Sequence, residues 1–130
     1  MDDADEFLQL TAGVIAPAQR RSAGLVLAVL EGSSGDALLT ELAAQLIAQR
    51  RRTAEWVIDT VRAKTPPRPE LSRSTAVDTL WILMDPAVFD RLVRQCGWPV
   101  ERYQTWFAQS ARRLLLPDPH YDNADVRSAR

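Results

Sequence analysis

Residues 78–116 constrain the fold most, because they combine three of the four tryptophans with clear signals for where helices start and stop. Asp85 and Pro86 are typical of a helix start, since aspartate caps free backbone N–H groups and proline is tolerated at the first helical position. Gly97 can take the left-handed conformation that ends a helix, and Pro99 can open the next one. These signals predict three consecutive helices, over residues 73–84, 86–95 and 99–115.

The first half of the chain also has helical character. Residues 3–31 are predicted to form a helix with a bend around 15–17, because an interior proline (Pro17) removes a backbone hydrogen bond. Asp36 is predicted to cap a long helix over 37–64, in which apolar residues recur at spacings of three and four. The proline-rich segment 65–69 then forms a loop.

These patterns predict an all-α fold, a helical bundle of about five to six helices. No segment shows the alternation of apolar and polar residues that indicates a strand. A single domain is expected over residues 1–116, since a chain of this size forms one ordinary domain. Residues 117–130 are polar and without periodicity, and a disordered tail is expected there.

Composition and charge exclude several classes of function. The formal net charge of −1 gives no electrostatic basis for binding nucleic acid. Cys96 is the only cysteine, so no intrachain disulfide is possible and a reducing, cytoplasmic location is expected. The longest apolar run, 24–30, is too short to span a bilayer, and no membrane partner is expected.

The sequence shows no catalytic signature, and we expect neither an enzyme nor a bound cofactor or metal. The only histidine, His120, lies in the polar tail, where the held geometry that a general base needs is not expected. Cys96 has no histidine nearby in the folded part, so we interpret it as a buried or half-buried structural thiol.

Three consecutive arginines lie within the long helix. Successive helical residues point about 100° apart, so Arg50, Arg51 and Arg52 do not form one basic surface. We expect Arg51 and Arg52 in solvent, with Arg50 nearer the apolar stripe. If Arg50 faces inward, it needs a carboxylate partner, either from the protein or from an acidic ligand.

Two sets of apolar residues are candidate sites. An apolar ligand pocket between helices is predicted to be lined by Trp56, Trp81, Met84 and Phe89, since such pockets favour aromatic and apolar walls. Packing in the core is the alternative for each of these residues.

A dimer interface is predicted from apolar arcs on the last helices, which are wider than one neighbouring helix needs. Two helices from each of two chains would form a four-helix interface around a twofold axis. Its residues are Ala76, Leu80, Leu83, Val100, Tyr103, Phe107, Ala111 and Leu114. The alternative is that these arcs close on the chain's own long helix.

The segment 80–106 resembles the C-terminal part of TetR-type transcriptional repressors. The residues that carry the resemblance are Leu80, Trp81, Leu83, Asp85, Pro86, Phe89, Leu92, Val93, Gly97, Trp98, Tyr103 and Trp106. The resemblance implies a domain that senses a small apolar ligand, as yet unknown, and forms a homodimer. The helix-turn-helix with which TetR-type repressors begin has no counterpart here. This chain alone is therefore not expected to bind DNA, which would require the missing N-terminal domain. The alternative is a stand-alone helical protein-interaction module without a ligand.

Overall fold

The computed structural model describes residues 3–118, and every regular element within them is helical. This confirms the predicted all-α fold class. The elements are α1 (Asp3–Gly32), a 3-10 turn (Ser33–Gly35), α2 (Ala37–Lys64), α3 (Arg73–Leu83), α4 (Pro86–Asp90), a π-helical turn (Arg91–Gln95) and α5 (Val100–Leu115). Four of these helices have eleven residues or more, and α4 is a short connector between α3 and α5. The described bundle therefore has four main helices rather than the five to six predicted. None of the described helices combines the length and apolar character needed to cross a membrane.

The helix starts follow the predicted caps. An Asp36 carboxylate oxygen accepts hydrogen bonds from the Leu38 and Leu39 backbone N–H groups at 2.8 and 3.2 Å. Asp85 accepts from the Ala87 N–H at 2.8 Å, with Pro86 in the first turn of α4. These side chains satisfy donors that have no partner inside a helix.

The segment 86–95 departs from the prediction because it is not one α-helix. At Arg91 the winding widens, and the Cys96 N–H donates to the Arg91 carbonyl, five residues back, at 2.9 Å. Gly97 then takes the predicted left-handed conformation, with φ of 75°. Trp98 closes the corner, where its ring meets Trp106 edge-on with centroids 6.2 Å apart.

Helix α1 is continuous, so Pro17 does not divide it. Its buried face is built largely from alanines, including Ala4, Ala12, Ala16 and Ala23. Small side chains let helices approach closely, and α1 packs most extensively against α5. Two larger apolar residues of α1, Leu10 and Val14, are exposed.

One apolar cluster forms the core of the described chain, and it lies at one end of the bundle. It takes residues from the first part of α1, the last part of α2, and α3, α4 and α5. No residue between Ala23 and Ala54 belongs to it. We call residues 3–23 and 54–116 the closed end and residues 24–53 the open end.

The open end is a two-helix hairpin with apolar side chains facing solvent. Leu25, Leu38, Leu42 and Ile47 are all exposed. The apolar run 25–30 is not buried on all sides, since Leu25 is 71% exposed. The physical reason is that, within residues 3–118, the core cluster takes no residue of α1 beyond Ala23.

Candidate functional site

A cleft lies between α1 and α2 where the closed end meets the open end. We call it the α1–α2 cleft, and its volume is about 360 Å³. Its lining residues are Val14, Ile15, Ala18, Gln19, Ser22 and Val26 from α1, Leu46, Gln49, Arg50 and Thr53 from α2, and Met84 from the end of α3. Apolar walls with a few polar groups, at this size, are typical of a small-molecule site.

Gln19 is the buried polar residue at the centre of this site, with 2% exposure. Its side-chain nitrogen donates a hydrogen bond to the Met84 carbonyl at 2.7 Å. Met84 caps the end of α3, where carbonyls lack a partner inside the helix. The hydrogen bond therefore satisfies both groups and fastens α1 to the end of α3.

Arg50 reaches the same carbonyl from α2. Its Nη2 donates to the Met84 carbonyl at 2.6 Å and to the Gln19 side-chain oxygen at 3.3 Å. Both acceptors are neutral, and within residues 3–118 no carboxylate lies at ion-pair distance from the guanidinium. Burial lowers the pKa of the Arg50 guanidinium, while electrostatic interactions with Asp85 and with Tyr103 raise it. A half-buried cation bonded to neutral oxygens thus lines the cleft.

Tyr103 completes the polar network from α5. Its hydroxyl donates to the Leu83 carbonyl at 3.3 Å, and its ring packs edge-on against Phe89 at a centroid distance of 4.9 Å. Burial raises the pKa of the Tyr103 hydroxyl, so the phenol stays neutral and serves as a donor. Side chains from α1, α2 and α5 therefore converge on the last carbonyls of α3.

The four predicted ligand-binding residues do not share one pocket. Met84 lines the α1–α2 cleft, whereas Trp56 is 62% exposed and meets the ring of Phe7 at 5.7 Å. Trp81 is half-buried against the closed end, and Phe89 lies in the core. Neither tryptophan nor Phe89 lines the cleft.

Most residues of the predicted dimer interface lie in the core of the chain itself. Six are buried within the described chain: Ala76, Leu80, Leu83, Tyr103, Phe107 and Ala111. Val100 is half-buried and packs on the same core, while Leu114 is exposed. The arc on α5 closes mainly against α1, and α3 packs mainly against α2.

The structure also shows the burial of three residues for which a prediction was made singly. Arg51 was expected in solvent, but it is half-buried, pairs with Asp78 and lies 5.3 Å from the Trp81 ring centroid. Arg52 is exposed, as predicted. Cys96 is exposed rather than buried, because it lies on the outer side of the corner before Gly97. His120 lies outside the described residues.

Sequence reasoning missed Gln19, although a signal for it existed. Gln19 falls three residues after Ala16 and four before Ala23, both of which are buried. A polar side chain in phase with a helix's buried face needs a buried hydrogen-bond partner. Only the tertiary structure identifies that partner as the Met84 carbonyl.

Comparison with known proteins identifies no relative of this chain. No protein-family model matches the sequence, and neither a curated protein nor a solved structure matches it. The likeness to TetR-type repressors therefore rests on the sequence pattern of residues 80–106.

Proposed function

We propose that this chain is the small-molecule-sensing and dimerisation domain of a TetR-type transcriptional repressor. The α1–α2 cleft is the observation that carries the proposal, because it offers an apolar lining with few polar groups at the size of a ligand site. The residues that would meet a ligand are those of the cleft rather than the aromatic set predicted from sequence. DNA contact belongs to a helix-turn-helix unit, and residues 3–118 alone have no DNA affinity in this proposal.

The position of the cleft suits a sensor. Its lining comes from α1, α2 and the end of α3, so one ligand contacts three helices at once. A ligand that prefers one arrangement of these helices shifts the equilibrium toward it, and the shift is limited by the difference in affinity. In a repressor of this type, such a shift changes how the DNA-binding units are held.

Ligand sensing is tested by calorimetric titration with octanoate and with octanamide, two probes of the same length. Ala18→Phe places a ring in the cleft lining, and Ala48→Phe places the same ring on an exposed position of α2 outside it. We expect at least one probe to bind, and binding to be lost in Ala18→Phe and kept in Ala48→Phe. Binding that survives Ala18→Phe, or no binding of either probe, contradicts the proposal.

Dimerisation in this proposal uses the apolar residues that α3 and α5 leave exposed, Ile82 and Leu114. Closed twofold dimers are the commonest soluble oligomers, and each copy uses the same patch. Leu114→Glu should separate the copies without touching the core, whereas Phe107→Glu would disrupt the core. Sedimentation equilibrium of the two proteins, wild type and Leu114→Glu, provides the test. A wild-type chain that is monomeric at tens of micromolar contradicts dimerisation.

The second candidate function is a helical protein-interaction module without a ligand. The exposed leucines Leu25, Leu38 and Leu42 of the open end favour it, because exposed apolar surface is what such a module would bury against a partner. The calorimetric test separates the two candidates, since an interaction module binds neither probe in the cleft.

A further inference from the structure

Arg50 carries a charge that its surroundings in the described chain do not neutralise. A guanidinium has five N–H donors, and here only Nη2 donates, to the neutral oxygens of Met84 and Gln19. Nε and Nη1 donate to no group within residues 3–118. Arg50 is half-buried, and these remaining donors are not sealed from solvent. They are therefore available to an anion that enters the cleft, which Arg50 lines.

The acids of the described chain do not supply this anion. Asp85 is the carboxylate whose charge Arg50 senses, but an Asp85 oxygen caps α4 through the Ala87 N–H. Asp78 pairs with Arg51, and Asp59 pairs with Arg73. Each of these carboxylates already has a structural partner.

Much of the wall of the cleft is apolar, although Ser22, Gln49 and Thr53 also line it. Ile15, Ala18, Val26 and Leu46 line it together with Val14. A small, fully hydrated anion has no apolar surface to bury against this wall, so the wall adds nothing to its affinity. A molecule with a charged head and an apolar body satisfies Arg50 and removes apolar surface from water at the same time.

We propose that the α1–α2 cleft binds a small monocarboxylic acid with an apolar body, whose carboxylate pairs with Arg50. This inference rests on the proposed sensing function and adds the chemical class of the ligand. The carboxylate is matched to the planar fork of a guanidinium, which offers two parallel N–H groups. The apolar body lies along Ile15, Ala18 and Leu46. The volume of about 360 Å³ favours a short body over a long acyl chain.

The experiment compares octanoate with octanamide at pH 7, where octanoate is ionised and octanamide is neutral with nearly the same shape. A hydrogen bond to a charged group adds about tenfold or more to affinity, so octanoate should bind the wild-type chain at least that much more tightly. Arg50→Gln should remove this preference, and far-UV circular dichroism shows whether the variant is folded. Arg52→Gln removes the same charge from an exposed neighbour and should keep the preference.

Two further variants sharpen the assignment. Arg50→Lys keeps the charge but not the fork, so octanoate should bind between wild type and Arg50→Gln. Asp85→Asn keeps the helix cap, because asparagine caps as well as aspartate. It also removes a negative charge near Arg50, so octanoate should bind a few-fold more tightly.

The outcomes separate this inference from the proposed function. Equal binding of the two probes, lost in Ala18→Phe, overturns the acid assignment and leaves the sensing cleft in place. An equal loss of preference in Arg50→Gln and Arg52→Gln also overturns it, because the effect is then general charge. Tighter binding of octyl phosphate than of octanoate overturns the carboxylate assignment. If neither probe binds, the sensing proposal and this inference fall together.

Discussion

The closed end and the open end use the same two helices but bury them very differently. In the closed end, Leu8 of α1 belongs to the core cluster and has no exposed surface. In the open end, Leu25 of the same helix is 71% exposed. The difference lies in the number of neighbours, because the core cluster to which α3, α4 and α5 contribute takes residues of α1 only as far as Ala23. An apolar residue on a helix is buried where a third element covers it.

The cleft lies at the junction of these two regions, and its polar groups are tied to the end of α3 in the closed end. Tyr103, Gln19 and Arg50 fix the last carbonyls of α3. The opposite wall, at Leu46 and Val26, lies in the less covered open end. One rigid side and one loosely covered side suit a site that closes on its ligand.

Matched leucine truncations on α1 give the largest expected effect. Leu8→Ala should lower the free energy of unfolding by about 2–5 kcal/mol, because it leaves a cavity in the core. Leu25→Ala should change it by less than about 0.5 kcal/mol, since the side chain is exposed. Urea denaturation followed by circular dichroism measures both. Equal losses would mean that another surface covers the open end.

A smaller effect is expected from the buried polar network. Gln19→Met keeps the length of the side chain but removes its hydrogen bond to the Met84 carbonyl, so stability should fall by about 1–3 kcal/mol. Gln45→Met, on the exposed face of α2, is the control and should be nearly neutral. The same denaturation experiment applies. A Gln19→Met protein as stable as wild type would show that Arg50 alone satisfies the Met84 carbonyl.

The smallest effect concerns the ion pair between α2 and α3 in the closed end. Arg73 donates to both Asp59 oxygens, at 2.7 and 3.0 Å. The hydrogen bonds from Arg73 hold the pKa of the Asp59 carboxyl below its usual value. The stabilisation is therefore present above about pH 4 and is lost as the pH falls through the lower folded-state pKa.

Thermal unfolding between pH 3 and pH 7 measures this contribution, because this range brackets the pKa of about 3.9 that a free aspartate has. Asp59→Asn should reduce the loss of stability on acidification slightly, because one carboxylate no longer protonates. Glu41→Gln, which removes an exposed acid from the open end, is the control. A wild-type profile that both variants reproduce would show that solvent screens the pair completely.

Local signals made the helices predictable, and the absence of such signals explains what sequence reasoning missed. Asp36, Asp85 and Gly97 act through backbone groups within a few residues, so they predicted helix ends that the structure has. Helical period predicts which residues share a face, but it does not predict whether that face is covered. This is why Phe107, which the chain buries in its own core, was assigned to a dimer interface.

The candidate site was predictable only in part. Arg50 was expected to need an anionic partner if it faced inward, and that condition follows from its charge alone. Its contacts with Gln19 and the Met84 carbonyl join residues 31 and 34 positions apart in the chain. Helical periodicity does not reveal contacts between residues so far apart in the chain. The aromatic residues predicted to line the ligand pocket lie outside the cleft.

Hydrogen exchange with and without octanoate tests most directly whether an acid-binding cleft joins a rigid end to a looser one. In the free chain, backbone amides of residues 24–32 and 37–49 should exchange faster than those of 57–61 and 103–111, because local opening is easier where less apolar surface is buried. Octanoate should slow exchange at residues 14–26 and 46–53 and leave 103–111 unchanged. Uniform exchange in the free chain, or protection centred on 103–111, would contradict this division of the molecule and the place of the site within it.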